Sequence, residues 1–223
     1  GLVILCNPWN PVGRVLTEVE MRALQELVSR YDALVFSDEI HSPLVLGGRD
    51  FVSYARMGAE FASHTITATA ATKGWNIAGL PNAQVIIPDE GLRERWDRIC
   101  QEKLPHSMST IGALGSIEAY TNGDEWQREI FEVIEGNIRT VSEALASTKI
   151  DFHPPQATYL TWWGFEAYPQ FGDSPASVLL ERAHIAVNAG ITLGADYSKW
   201  ARMNLACPPK VAEEMLSRVL DVL

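Results

Sequence analysis

The chain has 223 residues, 47% hydrophobic and 21% charged, enough apolar content to bury a core without disulfide or metal staples. Its net charge of −10, from 28 acidic against 18 basic side chains, argues against nucleic acid or an anionic membrane as partners held by long-range attraction. Three widely spaced cysteines, Cys6, Cys100 and Cys207, form neither a disulfide framework nor a zinc pattern and fit a reducing, cytoplasmic compartment, and no apolar run approaches the ~20 residues that span a bilayer.

The opening apolar run could serve as the core of a signal peptide, but it has no basic leader and no small-residue cleavage site. Asn7-Pro8 ends it abruptly, so a buried strand over 3–6 is the reading. A sequence that opens on a strand without Met is expected to be part of a longer chain. Thr17 and Glu20 make a T-x-x-E capping box, and Met21, Leu24, Leu27 and Val28 follow at helical spacing. A second strand is predicted at 33–36 and a third at 65–69, where β-branched residues alternate with alanine. A further core strand is predicted at 83–87, closed by Pro88. Strands alternating with helices point to an α/β sheet with mainly parallel strands, and such sheets carry their chemistry at the carboxyl ends of the strands. Asn7, Asp38 and Thr72-Lys73 all fall at or just past such ends.

Asn122-Gly123 marks a boundary, and Asp124 opens a helix to about residue 147. Its apolar stripe is Trp126, Ile130, Val133, Ile134, Ile138, Val141 and Leu145. Beyond it come a predicted strand at 158–163, a helix at 174–183 and a strand at 201–205. A final helix follows Pro208-Pro209, with Val211, Met215, Val219 and Val222 on one face. The second half therefore reads as a smaller α+β domain, residues 123–223, following a larger domain over 1–122.

Four strings carry the chemistry: Asn7-Pro8-Trp9-Asn10-Pro11-Val12-Gly13; Ser37-Asp38-Glu39-Ile40-His41; Thr72-Lys73-Gly74-Trp75-Asn76-Ile77-Ala78-Gly79-Leu80; and Ala201-Arg202-Met203-Asn204-Leu205. Singly they read as a turn, a helix cap, a solvated lysine and a surface arginine. In this order they resemble the pyridoxal-phosphate (PLP) enzymes of the class I/II aminotransferase family. The likeness is strongest to the branch of cystathionine β-lyases and cysteine-S-conjugate β-lyases. It spans residues 7–208.

The resemblance implies the α/β fold of aspartate-aminotransferase-like PLP enzymes: a large domain with a mainly parallel sheet, a smaller α+β C-terminal domain, and the family's N-terminal part absent. It implies that Lys73 is the lysine that holds PLP covalently. Asp38 corresponds to the acid on the pyridine nitrogen, Asn10 to the asparagine on the 3-hydroxyl oxygen, and Arg202 to the arginine on the substrate α-carboxylate. His41 occupies a place where related aminotransferases carry a cofactor-touching tyrosine. It reads either as a cofactor ligand or as a structural histidine. The family's phosphate serine and arginine are replaced by Ala70 and Pro81, which leaves Thr69 and Thr72 as candidate phosphate ligands. Tyr159 resembles a residue near the substrate pocket, with core packing beside Trp162 as the plainer reading. Trp9 either lines the pocket or packs beneath its turn. Asn76 to Leu80 reads as packing for the lysine turn, and Gly190 and Gly194 as backbone geometry.

The chemistry suits the roles. A carboxylate beside a ring nitrogen favours its protonated form, and a planar guanidinium matches a carboxylate in two places at once. The reaction implied is β-elimination from cystathionine or cysteine S-conjugates to a thiol, pyruvate and ammonia. Transamination of an L-amino acid is the alternative, and a non-catalytic PLP-sensing or protein-binding module the third. No metal is implied, and a homodimer is implied by the resemblance alone. The 223 residues by themselves are expected to be weakly active or inactive.

Overall fold

The computed structural model describes residues 1–103 and 109–223. The chain forms two compact units, one made of Gly1–Trp9 and Arg14–Gln127 and the other of Asn10–Gly13 and Arg128–Leu223.

In the first unit the order is β1 (Leu2–Cys6), α1 (Glu18–Arg30), β2 (Leu34–Asp38), α2 (Ala59–Ala62), β3 (Thr65–Thr69), α3 (Ala71–Gly74), β4 (Gln84–Ile86), α4 (Glu90–Lys103) and α5 (Thr110–Asn122). The sheet runs β1-β2-β3-β4, with β1, β2 and β3 parallel and β4 antiparallel to β3. Alternation splits its side chains between two cores. Val35 joins Met21, Val28, Tyr54 and Phe61 on one face, while Ile66 joins Ile87 and Leu92, with Leu34, Phe36 and Trp96 packed against them.

Helix α1 starts at the predicted capping box. The Thr17 hydroxyl accepts from the Glu20 N–H at 3.3 Å, and the Thr17 N–H donates to Glu20 Oε2 at 2.9 Å. Met21 and Val28 are buried as expected, but Leu27 is half exposed, one position off the inward stripe. The strand read at 83–87 as a core strand is instead the short antiparallel β4, which ends the described sheet. Its Val85 and Ile86 are 41% and 52% exposed, because a strand with no neighbour on one side keeps part of its apolar surface in solvent. The sequence reading did not place α4 or α5. Helix α5 exposes Ile111, Leu114 and Ile117 while burying Gly112, Ser116 and Ala119, so it shows no apolar stripe.

Helix α6 (Asp124–Leu145) begins in the first unit and continues in the second. Ile134, Ile138, Val141 and Leu145 are buried as predicted, whereas Trp126, near its start, is 39% exposed. The second unit adds β5 (Asp151–Phe152), β6 (Leu160–Gly164), α7 (Pro175–Val178), β7 (Asn188–Ala189), β8 (Trp200–Asn204) and α8 (Pro209–Leu220). Its sheet, β5-β6-β8-β7, is wholly antiparallel. Thr161, Trp163, Ala201 and Met203 form a fully buried face, and Asn137 of α6 donates to the Leu205 and Cys207 carbonyls at 2.9 and 2.8 Å just past β8. The predicted helix at 174–183 is α7 followed by a wider π turn over Leu179–Ala183. The last helix is rotated from expectation: Ala212, Leu216 and Val219 point inward and Val211 is 51% exposed. The stripe follows α-helical steps from Ala212, and the run Val211–Met215 lies one residue around from it.

Candidate functional site

The site residues divide between the units. Asp38, His41, Thr69, Thr72 and Lys73 lie in the first; Asn10, Tyr159 and Arg202 lie in the second.

In the first unit parallel pairing sets the strand ends level. Cys6 is in register with Asp38, and Asp38 with Ala68. Past those ends the backbone continues the ladder, the Asn7 N–H donating to Asp38 O at 3.0 Å and the Glu39 N–H to Ala68 O at 2.8 Å. Asp38 Oδ1 accepts the Ile40 N–H at 3.2 Å, its one hydrogen bond given among the described residues, so the carboxylate keeps acceptor capacity at a partly exposed strand end. His41 is buried, and its carbonyl accepts the Leu44 N–H of the turn Ser42–Leu44.

Lys73 is the third residue of α3, the single helical turn that follows the extended Ala70. Gly74 lets this turn approach the loop after His41, since a Cβ there would stand 2.7 Å from Pro43 Cβ. Gln127 Nε2 holds the same loop through the Pro43 carbonyl at 3.1 Å. On the other side Trp75 Nε1 donates to Gly123 O at 3.0 Å and its ring meets Tyr120 edge-on at 5.1 Å. The stretch after Lys73 therefore does structural work, with Ile77 N–H bonded to Thr72 O and Leu80 N–H to Ile77 O. The Lys73 side chain is half-buried and has no ion-pair partner among the described residues. Thr72 is buried. The Thr69 hydroxyl lies 3.5 Å from Glu39 O and interacts with Tyr120, whose own hydroxyl burial pushes up while that hydrogen bond pulls it down.

Glu39 was not singled out in the sequence. It is 3% exposed, and its Oε1 accepts from Ser37 Oγ at 2.8 Å, Ser53 Oγ at 3.0 Å and the Tyr54 N–H at 3.2 Å. Burial pushes its carboxyl above the ordinary range, and the three hydrogen bonds act against that shift. It ties the segment after Asp38 to the 53–54 turn. Its one signal in the sequence is its place directly after the strand that ends at Asp38.

In the second unit Asn10 is fixed by Gly13, whose φ is +72°. The Gly13 carbonyl accepts the Gln156 and Ala157 N–H groups at 2.8 and 3.0 Å, and a Cβ at Gly13 would fall 2.3 Å from Pro155 Cβ. Asn10 Oδ1 then accepts from Arg202 Nη1 at 3.1 Å, and Asn188 Oδ1 from Arg202 Nη2 at 3.0 Å. Arg202 Nε is buried without a partner, and no carboxylate pairs with the guanidinium among the described residues. Tyr159 is half-buried. Burial raises its hydroxyl and the Arg202 cation opposes this. Thr158 just before it is buried at φ +69°, its hydroxyl accepting the Leu160 N–H at 2.7 Å. On the arginine's side of the sheet, Trp162 stacks on Trp200 at 5.5 Å and 14°, so Trp162 packs as expected.

The donor set suits an aromatic aldehyde with a basic ring nitrogen. It offers one lysine without a counter-ion among the described residues, one carboxylate with spare acceptor capacity and nearby hydroxyls, while Ala70 and Pro81 bring no charge to the anionic end. Among the described residues no cluster of His, Cys, Asp and Glu is suited to a metal ion, and no helix is long and apolar enough to cross a membrane.

The family model for aminotransferase class I and II matches residues 1–219. A cystathionine beta-lyase of Corynebacterium glutamicum is 32% identical over 223 residues, covering 100% of this chain and 60% of that protein. Among solved structures, a putative PLP-dependent beta-cystathionase from Corynebacterium diphtheriae superposes with a TM-score of 0.92 at 34% identity, over 99% of this chain and 58% of that one. A PLP-bound putative aminotransferase from Clostridium difficile 630 gives a TM-score of 0.91 at 33% identity, over 99% and 58%. The chain thus spans about 60% of the length of the relatives it matches.

Proposed function

Since this chain belongs to the class I and II aminotransferase family, we propose that it forms the C-terminal portion of a PLP-dependent C–S β-lyase acting on cystathionine or cysteine S-conjugates. The observation that carries the reading is Lys73, a lysine without an ion-pair partner among the described residues, one turn past β3 of the sheet in which the Asp38 carboxylate lies at the end of β2. On this reading residues 1–122 are the C-terminal part of the cofactor-binding large domain, and 123–223 the linking helix and small domain. A cytoplasmic setting fits three cysteines too widely spaced for a disulfide framework, and a homodimer is the assembly proposed.

Lys73 holds the cofactor, Asp38 keeps the proton on its ring nitrogen, and Asn10, Thr69, Thr72 and His41 are its further proposed ligands. Arg202, with Tyr159 beside it, takes the substrate α-carboxylate. When bound, PLP supplies an electron sink for the pair released at the substrate α-carbon. With the cofactor bound, Lys73 would serve as the general base for the α-proton, a role that requires a neutral amine. A carboxylate at Asp38 favours the protonated ring and so the sink. Elimination of the β-sulfur would give a thiol and a free three-carbon enamine, which water hydrolyses to pyruvate and ammonia.

Cystathionine added to the PLP-loaded protein, prepared as the whole polypeptide in which this chain occurs, is expected to release pyruvate without any keto acid. Amino transfer that depends on a keto acid would assign the aminotransferase reaction instead. A PLP absorbance band with neither product would assign a sensing module.

A further inference from the structure

Arg202 is held in an unusual electrostatic state for a half-buried guanidinium. Two of its N–H groups are spent on side-chain amide oxygens, Asn10 Oδ1 at 3.1 Å and Asn188 Oδ1 at 3.0 Å, and no carboxylate neutralises it among the described residues. An amide oxygen can orient a guanidinium without cancelling its charge, whereas a carboxylate would do both. Asn188 reaches it by register. It stands opposite Arg202 in the β7–β8 pair, so both side chains rise on one face of the sheet. The backbone around it has little freedom, because a Cβ at Gly190 would lie 2.2 Å from Tyr197 O and 2.6 Å from Trp200 O.

We propose that Asn188 is a positioning residue for substrate recognition: it fixes the guanidinium plane of Arg202 from the side opposite Asn10 and, being an amide, leaves the charge free for the substrate carboxylate. This rests on the carboxylate-binding role given to Arg202 above. Aspartate at 188 is the sharp test, since it has the same size and reach but puts a carboxylate where the incoming one must compete.

The experiment uses the PLP-loaded whole polypeptide and four forms: unaltered, Asn188→Ala, Asn188→Asp and Arg202→Ala. KM and kcat are measured for an amino acid and for its methyl ester. The Kd of 3-hydroxypropionate, a carboxylate without an amine, is measured by calorimetry. Asn188→Ala is expected to raise KM and Kd about 3-fold through the lost hydrogen bond, with kcat little changed. Asn188→Asp is expected to raise both tenfold or more, as close charge pairs at recognition sites do. That increase should disappear for the ester and shrink in high salt. If Arg202→Ala raises KM but Asn188→Asp matches the unaltered protein or the alanine variant, the role of Asn188 is overturned while that of Arg202 stands. An unchanged KM and Kd in Arg202→Ala overturns both.

Discussion

Replacing Glu39 by alanine removes the acceptor for Ser37 Oγ, Ser53 Oγ and the Tyr54 N–H in a site only 3% exposed. A buried donor left without its partner costs ~1–3 kcal/mol, and water entering the vacated space recovers part of three such costs, so the loss is ~3–5 kcal/mol. That is a large share of the ~5–15 kcal/mol that holds a typical domain, and corresponds to a fall in Tm of roughly 10 °C. Glu39→Gln keeps an acceptor oxygen and is expected to cost about 1 kcal/mol. The charge adds a pH signature. Burial raises the folded-state pKa of Glu39, so the stability it contributes is complete below the ordinary carboxylate value and is lost as pH rises through the raised one. Glutamine has no such loss, so its deficit relative to the unaltered protein should narrow as pH rises. Urea unfolding followed by tryptophan fluorescence at pH 5 and pH 8 reads both effects. An alanine variant within about 1 kcal/mol of the unaltered protein, or a glutamine deficit that widens with pH, would refute the reasoning.

Asp38→Asn should preserve the fold but remove the charge proposed to hold the ring proton; a change of about two pKa units at the ring corresponds to a loss on the order of 100-fold in kcat, read alongside the PLP absorbance spectrum. Gly190→Ala forces a methyl against two backbone carbonyls that cannot swing aside, at 2.2 and 2.6 Å, and should cost ~3 kcal/mol or more in a thermal melt. The Thr17 N–H and the Arg14 guanidinium hold the Glu20 carboxyl down to about 2, so its contribution is complete above about 4.5 and is lost as pH falls toward 2. Arg14→Ala should make the urea midpoint less dependent on pH between 6 and 3.

The sequence disclosed what is local or periodic. The capping box at Thr17 and Glu20, the strand ends at Cys6 and Thr69, and the α6 stripe from Ile134 to Leu145 depend on neighbours along the chain, and each is found, while the second strand runs two residues past its expected end at Phe36, to Asp38. Register is not written locally. Asn188 faces Arg202 only because β7 and β8 pair as they do, and Glu39 finds Ser53 and Tyr54 only once the chain has turned back. Helix α5 escaped because its apolar residues lie on exposed as well as buried sides, and β4 was read as core because an apolar run looks alike whether one or both of its edges are paired. The NPxNPxG string looked like a turn and is one. Its added role comes from Gly13, which accepts two N–H groups from 156–157 and so holds Asn10 against Arg202.

The most direct test of the account is borohydride reduction of the PLP-loaded protein, followed by proteolysis and mass spectrometry. The account predicts a pyridoxyl mass on the peptide carrying Lys73 and its disappearance in Lys73→Arg. Label on another lysine, or a loaded protein that borohydride does not label at all, would contradict it.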